Sequence, residues 1–420
     1  MPSVRADPPE SMAPATLPAR PGSASGREAA ASRARGPKPA APGTTLGPYR
    51  LHAELATGGM ATVYLASRLE GGPESAVAIK RIHPHLAADR PYLEMFLDEV
   101  DISSRIAHPN VCRALEVREE NGLPYLVMEL LRGQPLSRVI KELHRNRVVP
   151  PAARVTFGVR LAIGAARGLH AAHVATDETG QPLSVVHRDI SPHNLFVTYD
   201  GVCRILDFGV AKAERRLHRT AAGIIKGKLG YMAPEQMLGR PVDHRADVFG
   251  LAVSLWELLA GKTLFRRATQ ADTVLAMGRG ERPPLREIAP EVPEELEAIL
   301  DRALAANPER RTSSAARFAS ELEGWLASLP PSPDRSAHWM AMLFPEEKAS
   351  LDELLVDALP PAGEAREETT AASRVRRRLG RAPRRPGPFW WAVAVLVAVL
   401  LGVALGVGVD AAVDALRALQ

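Results

Sequence analysis

The chain has 420 residues, 46% of them hydrophobic and 24% charged, with a formal net charge of +5 at pH 7, and this length allows two or three domains. Seven arginines lie between Arg374 and Arg385, so the remaining residues sum to a slightly negative charge, which argues against a basic nucleic-acid-binding protein and predicts no nucleic-acid partner. Cys112 and Cys203 are too few for a metal cage and imply no disulfide framework, so we interpret them as buried apolar residues in a reducing compartment.

The first 46 residues form a compositionally biased segment. Residues 1–46 are rich in Pro, Ala, Ser, Gly and Arg and show no hydrophobic periodicity. Such a composition buries too little apolar surface to offset the entropy that is lost on ordering. The segment also lacks an apolar stretch of the signal-peptide type. We expect a disordered cytoplasmic leader over these residues.

A glycine-containing turn and a strand that ends in lysine are predicted next. The turn lies in Leu55–Tyr64 (LATGGMATVY), where Gly58 and Gly59 let the backbone approach a ligand without an obstructing Cβ. The apolar strand Ala76–Lys80 (AVAIK) follows it. Alone, this pattern is a weak signal, because many turns contain glycine and a lysine at the end of a strand is usually solvated.

A helix and a buried strand follow. Apolar residues recur at helical spacing over Tyr92–Ala107, and this helix carries Glu99 among several other acidic residues. The apolar run Tyr125–Leu131 (YLVMELL) predicts a core strand. Taken alone, it could be a core strand of almost any fold.

Two polar motifs between apolar strands carry the clearest chemical signal. Residues 185–196 read VVHRDISPHNLF, and residues 205–209 read ILDFG. Their Asp189, Asn194 and Asp207 supply carboxylate and amide oxygens, the kind of ligand that Mg²⁺ prefers. Three more motifs follow in the chain: MAPE at 232–235, DVFG at 247–250 and NPERR at 307–311.

In this order, the motifs between Tyr49 and Leu326 resemble those of eukaryotic-type (Hanks-type) bacterial serine/threonine protein kinases. The ISPHN run and the long hairpin at residues 176–183 resemble the membrane-anchored kinases of myxobacteria. The resemblance implies an α+β, two-lobed protein-kinase fold over residues 47–328, with a small β-rich N-lobe and a large helical C-lobe. It also implies ATP and Mg²⁺ as cofactors and proteins as substrates.

The resemblance implies a nucleotide site between the lobes. Met128 takes the gatekeeper position, and backbone groups of Glu129 and Leu131 would hydrogen-bond adenine. Of the three glycines of the family's phosphate loop, only Gly58 is at its position, because Ala56 and Ala61 replace the other two. The residues implied to contact ATP are Leu55, Ala56, Thr57, Gly58, Gly59, Met60, Ala61, Val63, Ala78, Lys80, Met128, Glu129 and Leu131.

The resemblance also assigns the catalytic roles. Asp189 would accept or orient the proton of the attacking hydroxyl, and Asn194 and Asp207 would hold Mg²⁺. Lys80 would bind the α and β phosphates while paired with Glu99. Two structural devices are implied as well: a Glu235–Arg311 ion pair, and Asp247 tying down the catalytic loop.

The chain departs from the family at two positions near the catalytic aspartate. Ser191 stands where serine/threonine kinases usually have lysine, and Lys228 stands where they usually have threonine. We interpret this as an exchange in which Lys228 supplies the cation near the γ-phosphate; two independent losses in a degraded kinase are the alternative. Thr220 is the expected autophosphorylation site of the activation segment. A dimer is a possible arrangement for this autophosphorylation.

Two other functions are alternatives for a chain with these motifs. A membrane-anchored pseudokinase scaffold is supported by Ala56, Ala61, Ser191 and Lys228, but the intact lysine, glutamate, asparagine and two aspartates of the motifs argue against it. A small-molecule phosphotransferase is disfavoured by the complete activation segment, which docks polypeptides in the family. We expect a protein serine/threonine kinase.

The chain continues beyond the kinase-like region with a linker over residues 329–388. Helical spacing of apolar residues within His338–Leu359 predicts a helical segment that either packs on the large lobe or binds a partner, and packing is favoured. The acidic residues of this segment argue against a helix lying on a membrane surface.

An apolar run near the end of the sequence predicts one C-terminal transmembrane helix. Phe389–Val409 is 21 residues without a charge, enough to span about 30 Å of hydrocarbon. The preceding arginine cluster would lie on the cytoplasmic side. We expect a single-pass protein of the cell membrane, with a cytoplasmic kinase domain and a short extracytoplasmic tail at residues 410–420.

Overall fold

Strands with alternating burial build the N-terminal lobe of the computed structural model, which describes residues 38–41, 43–70, 76–208 and 229–358. The strands form one antiparallel sheet in the order β1-β3-β4-β5-β7-β6, and β2 pairs with β3. The strands are β1 Lys38–Pro39, β2 Thr45–Leu46, β3 Tyr49–Thr57, β4 Ala61–Arg68, β5 Ala76–Ile82, β6 Ala114–Glu120 and β7 Leu123–Glu129.

The strand register divides the side chains of this sheet between two faces. Val63 pairs with Lys80, Leu65 pairs with Ala78, and Ala78 pairs with Met128. Directly paired residues point to the same face, and residues two apart in a strand also share a face. These five side chains therefore lie together on the face that turns toward the second lobe. The opposite face buries a separate apolar cluster.

Two helices accompany the sheet. Helix α1 covers Pro84–Ala87, and helix α2 covers Arg90–Arg105. Helix α2 packs on the sheet through an apolar cluster that includes Phe96 and Val100. Glu99 lies between these two anchors on the buried face of the helix. The lobe-facing side of α2 thus presents one carboxylate toward β5.

The second lobe is mainly helical, so the described residues have the expected β-rich N-lobe and helical C-lobe. Its core is helix α6, in which every residue from Ala246 to Ala260 is buried. A small sheet in the order β10-β9-β8 lies at the border with the first lobe. The strands are β8 Gly133–Pro135, β9 Leu195–Thr198 and β10 Cys203–Ile205. The helices are α3 Leu136–Asn146, α4 Pro151–His173, α5 Pro234–Met237, α6 Arg245–Ala260, α7 Gln270–Arg279, α8 Leu285–Ile288, α9 Glu294–Ala303 and α10 Ala315–Ser328.

Two further helices follow the C-lobe. Helix α11 covers Ser336–Leu343 and helix α12 covers Pro345–Ala358, so the helical spacing predicted in this part of the linker is present. Apolar residues of both helices join the C-lobe core, as the packing alternative expected. Met342, which the spacing placed on the apolar face, is instead 43% exposed.

The predicted membrane localisation has to be corrected. Within the described ranges, no helix is both long enough and apolar enough to cross a membrane. The longest, α4, has 23 residues but carries Arg154, Arg160 and Arg167 and packs in the C-lobe. The predicted span 389–409 lies outside the described residues. We therefore do not retain the assignment to the cell membrane.

Candidate active site

Lys80 lies between two carboxylates at the centre of the cleft. Its Nζ donates to Glu99 Oε1 at 2.5 Å and to Asp207 Oδ1 at 2.7 Å. The lysine side chain is only 12% exposed. Strand β5 positions Lys80, α2 positions Glu99, and the turn after β10 positions Asp207, so one ammonium group joins the two lobes.

The charges of this trio shift one another's pKa values. Burial alone would lower the pKa of Lys80, but the carboxylates of Asp207 and Glu99 raise it above its ordinary value. Burial raises the pKa of Glu99, and the negative charge of Asp207 raises it further, against the effect of Lys80. Burial opposes ionisation of Asp207, yet Lys80 holds its pKa below the usual range. Lys80 and Asp207 are therefore charged at neutral pH.

The catalytic-loop residues Asp189 and Asn194 form a second cluster. Asn194 Nδ2 donates to Asp189 Oδ2 and to the Asp189 carbonyl oxygen, each at 2.8 Å. The amide of Leu206 donates to the Asn194 carbonyl oxygen at 2.9 Å, which ties this loop to the segment that carries Asp207. Both Asp189 and Asn194 are 9% exposed.

Two non-glycine residues of the site have left-handed backbone angles. Arg188 has φ 62° and Asp207 has φ 54°. Such angles are uncommon for side chains of this type and are held in place by surrounding contacts. His187 supplies one contact, since its Nε2 lies 2.9 Å from the Leu206 carbonyl oxygen and its ring packs edge-on against Phe208.

Asp247, at the start of α6, holds the catalytic loop in place through hydrogen bonds. Its two oxygens accept the backbone amides of His187 at 2.8 Å and Arg188 at 2.7 Å, and His173 Nε2 lies 2.8 Å away. Burial opposes ionisation of Asp247, but the hydrogen bond with His173 and those from the amides hold its pKa below the usual range. The implied role of Asp247 in tying down the loop is confirmed.

The residues implied to contact adenine line the hinge side of the cleft. Met128 and Ala78 share the cleft face of the sheet. The amide of Glu129 donates to the Arg113 carbonyl oxygen at 3.0 Å. Leu131 follows two residues later and is half-buried.

The phosphate loop is open around its glycines. The Gly58 amide donates to the Ala61 carbonyl oxygen at 2.9 Å, which closes the tip of the β3–β4 hairpin. A Cβ built on Gly59 would have no heavy atom within 4 Å, and one on Gly58 would meet only Ala61. Packing within the protein therefore does not require glycine here. This space fits the approach of a phosphate group.

The oxygen donors of Asp207 and Asn194 fit a magnesium ion. The Asn194 amide nitrogen faces Asp189, so its amide oxygen is the atom that would face a metal. In the part of the chain that the structure describes, no cluster of three or more His, Cys, Asp or Glu side chains could hold a metal ion. Mg²⁺ commonly binds through one or two protein oxygens together with water and substrate phosphates, and Asp207 and Asn194 would supply the protein oxygens.

The implied Glu235–Arg311 ion pair is confirmed as a buried fork. Arg311 Nη1 and Nη2 donate to the two Glu235 oxygens at 2.7 and 2.9 Å. Three contacts of this region were missed by sequence reasoning because no local spacing signals them. They are Gln236 Nε2 to the Arg188 carbonyl oxygen, Tyr231 Oη to Glu257 Oε2, and His173 to Asp247.

Two predicted residues cannot be placed. Lys228 and Thr220 lie outside the described residues. Ser191, the expected partner of Lys228, is described, and it is fully buried two positions after Asp189.

Comparisons with known proteins agree with this geometry. The protein kinase domain matches residues 49–322. Tyrosine-protein kinase MasK of Myxococcus xanthus is 48% identical over 67% of this chain and 43% of its own length. Serine/threonine-protein kinase Pkn1 of Myxococcus xanthus is 37% identical over 68% of this chain and 39% of its own.

Serine/threonine-protein kinase PknA of Mycobacterium tuberculosis is 31% identical over 70% of this chain and 65% of its own length. The chain thus spans less than two thirds of each of these curated relatives. The resemblance to Hanks-type bacterial kinases is confirmed, and the chain belongs to the protein kinase domain family.

Proposed function

We propose that the chain is an ATP- and Mg²⁺-dependent protein kinase that phosphorylates serine and threonine hydroxyls of protein substrates. The observation that carries this proposal is the Lys80 ammonium group held between Glu99 and Asp207. A kinase-like scaffold without phosphoryl transfer would not need to hold a buried lysine between carboxylates from two lobes. The second support is the set of bacterial kinase relatives.

The proposed roles follow from charge and position. Mg²⁺ held by Asp207 and Asn194 would neutralise charge on the phosphates. Lys80, fixed by Glu99, would orient the α and β phosphates. Asp189, fixed by the Asn194 amide, would orient the attacking hydroxyl and take up its proton.

The proposed nucleotide pocket has three parts. The half-buried Leu55 and Val63, together with Ala78, would enclose the base on the N-lobe side. Met128 and the backbone of Glu129 and Leu131 would bound it at the hinge. The hairpin residues Ala56, Thr57, Gly58, Gly59, Met60 and Ala61 would cover the phosphates.

The test is a radiolabelled ATP assay on the full chain with a generic protein substrate. We expect Asp189→Asn and Asp207→Ala to lower turnover by a factor of about 10²–10³, the usual effect of removing one group that stabilises transition-state charge. Asp101→Asn is the matched control, because its side chain is 61% exposed and pairs only along its own helix. A near-normal rate in either active-site variant would contradict the proposed kinase activity.

A tyrosine acceptor is the second candidate. It is favoured by one observation, the 48% identity to a protein named as a tyrosine-protein kinase. Acid hydrolysis of the phosphorylated product and separation of the phosphoamino acids distinguishes the two. Phosphotyrosine as the main product would overturn the proposed serine/threonine specificity but not the kinase activity.

The pseudokinase scaffold is tested by separating binding from transfer. A scaffold would bind ATP without transferring phosphate, or bind no ATP. Titration of the full chain with a fluorescent ATP analogue, with and without Mg²⁺, measures binding directly. Binding without transfer to any protein substrate would favour the scaffold.

We also propose that Lys228 and Ser191 act together. The Ser191 side chain is fully buried, and its hydroxyl has no hydrogen-bond partner among the described residues. A hydroxyl in this state is suited to accept from an ammonium group. Lys228→Thr should lower turnover, and the added Ser191→Lys should restore part of it. Additive losses in the double variant would refute the coupling.

Regulation by Thr220 is a further proposal. Thr220 would be phosphorylated within a transient dimer and would bind Arg188 of the catalytic loop. Mass spectrometry of the active protein is the measurement. A Thr220→Ala variant with an unchanged rate would refute this switch.

A further inference from the structure

Helices α11 and α12 follow the matched kinase region. The first part of this two-helix segment packs on the C-lobe. The C-lobe core includes Trp339, Met340, Leu343 and Phe344 of this segment. Gly201 allows their close approach, because a Cβ there would lie 2.5 Å from Ser336 Cβ. This end of the segment is therefore built into the C-lobe rather than resting on it.

Ion pairs hold the first turn and the middle of α12 to the start of the C-lobe. Arg138 Nη2 donates to Glu347 Oε1 at 2.5 Å, and the Arg138 guanidinium lies over the Phe344 ring. Arg132 pairs with Asp352 one turn further along. Arg132 immediately follows the hinge segment, so α12 runs past the hinge toward the N-lobe.

The last turn of α12 packs on the N-lobe. Ala358 is 7% exposed and forms a buried cluster with Ala53 of β3 and Leu65 of β4. Leu354 and Leu355 pack against the same cluster. Leu355 also packs against the C-lobe core cluster, so this one side chain adjoins the apolar clusters of both lobes.

This contact lies on the cleft face of the sheet, next to the proposed adenine site. Ala53 pairs with Leu65, and Leu65 pairs with Ala78, which is on the cleft face. Leu55 and the hinge residue Leu130 pack against the same cluster. Leu55 is itself one of the proposed nucleotide contacts.

The helix lies beside the proposed pocket without filling it. Ala53 and Leu65 have no exposed surface. In contrast, Val63 and Met128, on the same face of the sheet, keep part of their surface accessible. The end of α12 therefore borders the proposed adenine site and leaves these two side chains partly accessible.

We propose that Leu354, Leu355 and Ala358 are positioning residues for the nucleotide, a proposal that rests on the proposed kinase function. They hold Leu55 and Leu130 in place and link the N-lobe to the C-lobe through one rigid helix. A group that must be ordered for binding lowers affinity when it is free, because ordering it costs entropy. Nucleotide binding and docking of the α12 end should therefore favour each other.

The test compares aspartate substitutions at two adjacent positions of the full chain. Leu355→Asp places a charge in the apolar contact, whereas Val356→Asp changes a side chain that is 70% exposed on the same helix. We expect Leu355→Asp to raise the Kd for Mg·ATP at least ~5-fold, the lower end of typical coupling between sites. Val356→Asp and the conservative Leu355→Met should stay near the wild-type Kd.

Calorimetric titration with Mg·ATP measures the Kd directly, and thermal unfolding of the same samples monitors stability. Equal Kd values for Leu355→Asp and wild type overturn the proposal, because a purely structural role would change only stability. A wild-type chain that binds no Mg·ATP would instead contradict the proposed function. The two failures are therefore distinguishable.

A charge exchange provides a second route if Leu355→Asp does not fold. Glu347→Arg places two like charges together with Arg138, which should release the helix and raise the Kd. The double variant Glu347→Arg with Arg138→Glu restores opposite charges and should recover part of the affinity. An unchanged Kd in Glu347→Arg would also overturn the proposal.

Discussion

At the scale of single residues, the site depends on charges that are buried in pairs. Lys80 contacts a carboxylate from each lobe, and Asp247 accepts two backbone amides of the catalytic loop. Breaking such an arrangement leaves an uncompensated charge in a low-dielectric environment, which costs more than the pair contributes when intact. These positions therefore connect the proposed catalytic site with stability.

Asp247 gives the protein a specific response to acid. Its folded-state pKa lies below the unfolded value of about 3.9, so its ionised form contributes stability above that pH and loses it as the pH falls further. We expect Asp247→Asn to lose about 1.5–3 kcal/mol of unfolding free energy at pH 7, the usual contribution of hydrogen bonds to a charged group. Below pH ~4, the wild type should lose stability more steeply than this variant.

Urea unfolding across the pH range is the measurement. Asp101→Asn, at an exposed site, is the control and should change the unfolding free energy by less than about 0.5 kcal/mol. Parallel pH curves for wild type and Asp247→Asn would contradict this role of the carboxylate.

The carboxylate partner of Lys80 could be predicted only by resemblance to the family. The sequence offers several acidic residues on α2, and resemblance alone selected Glu99. The structure explains the choice, because Glu94 pairs with Arg90 and Asp101 pairs with Arg105 along the exposed helix surface. Glu99 is the buried member of the group.

At the scale of elements, helix α6 supports the catalytic loop by close packing. A Cβ on Gly250 would lie 2.7 Å from the Ile190 carbonyl oxygen, and Ile190 directly follows Asp189. We expect Gly250→Ala to cost about 1–3 kcal/mol, as overpacking does, and to lower turnover by displacing the loop. Gly324→Ala in α10 is the matched control, since a Cβ there meets no atom within 4 Å.

Turnover and thermal unfolding of both glycine variants decide the point. The control should be neutral or slightly stabilising, because alanine has the higher helix propensity. Wild-type turnover in Gly250→Ala would show that the loop position does not depend on this contact.

Some helices and strands could be predicted from the sequence more clearly than others. Helical spacing of apolar residues predicted α2 and the α11–α12 segment, and both are present. The glycine-containing turn and the lysine strand, whose pattern alone is a weak signal, are present as well. The exposure of Met342 was missed because α11 and α12 meet at a bend near Phe344, so one periodic face does not continue through both. Short strands such as β8 carry too few residues for any periodicity.

At the scale of the whole molecule, the Glu235–Arg311 fork joins the end of the activation segment to the late part of the C-lobe. The Arg311 side chain has no exposed surface, and Glu235 has 5%. We expect Arg311→Ala to lower the unfolding free energy by about 3–5 kcal/mol, because it leaves the glutamate buried and unpaired. Arg317→Ala, which removes a 64% exposed arginine from an ion pair along helix α10, should cost no more than about 0.5 kcal/mol.

Denaturant unfolding of the two arginine variants measures the difference. A similar loss in both would contradict the structural importance of burial at Arg311. Recovery by a double variant that also replaces Glu235 with glutamine would support it, since the uncompensated charge is then gone.

The sequence by itself determined the identity and order of the chemical groups. Asp189, Asn194 and Asp207 stand in short motifs whose local spacing is sufficient to recognise them. The two-lobed arrangement followed from the resemblance that these motifs carry, and apolar periodicity indicated single helices and strands between them. Such signals are local, because helix and strand periodicities are set by residues near one another in the chain.

Only the tertiary structure decided which distant groups meet. Lys80 reaches Asp207 across 127 positions, and Ala358 packs on Ala53 across the hinge. No local pattern names these partners, since they depend on strand register and on how two lobes and an added helix pack together. The predicted membrane location was wrong, because no described helix is both long enough and apolar enough to cross a membrane.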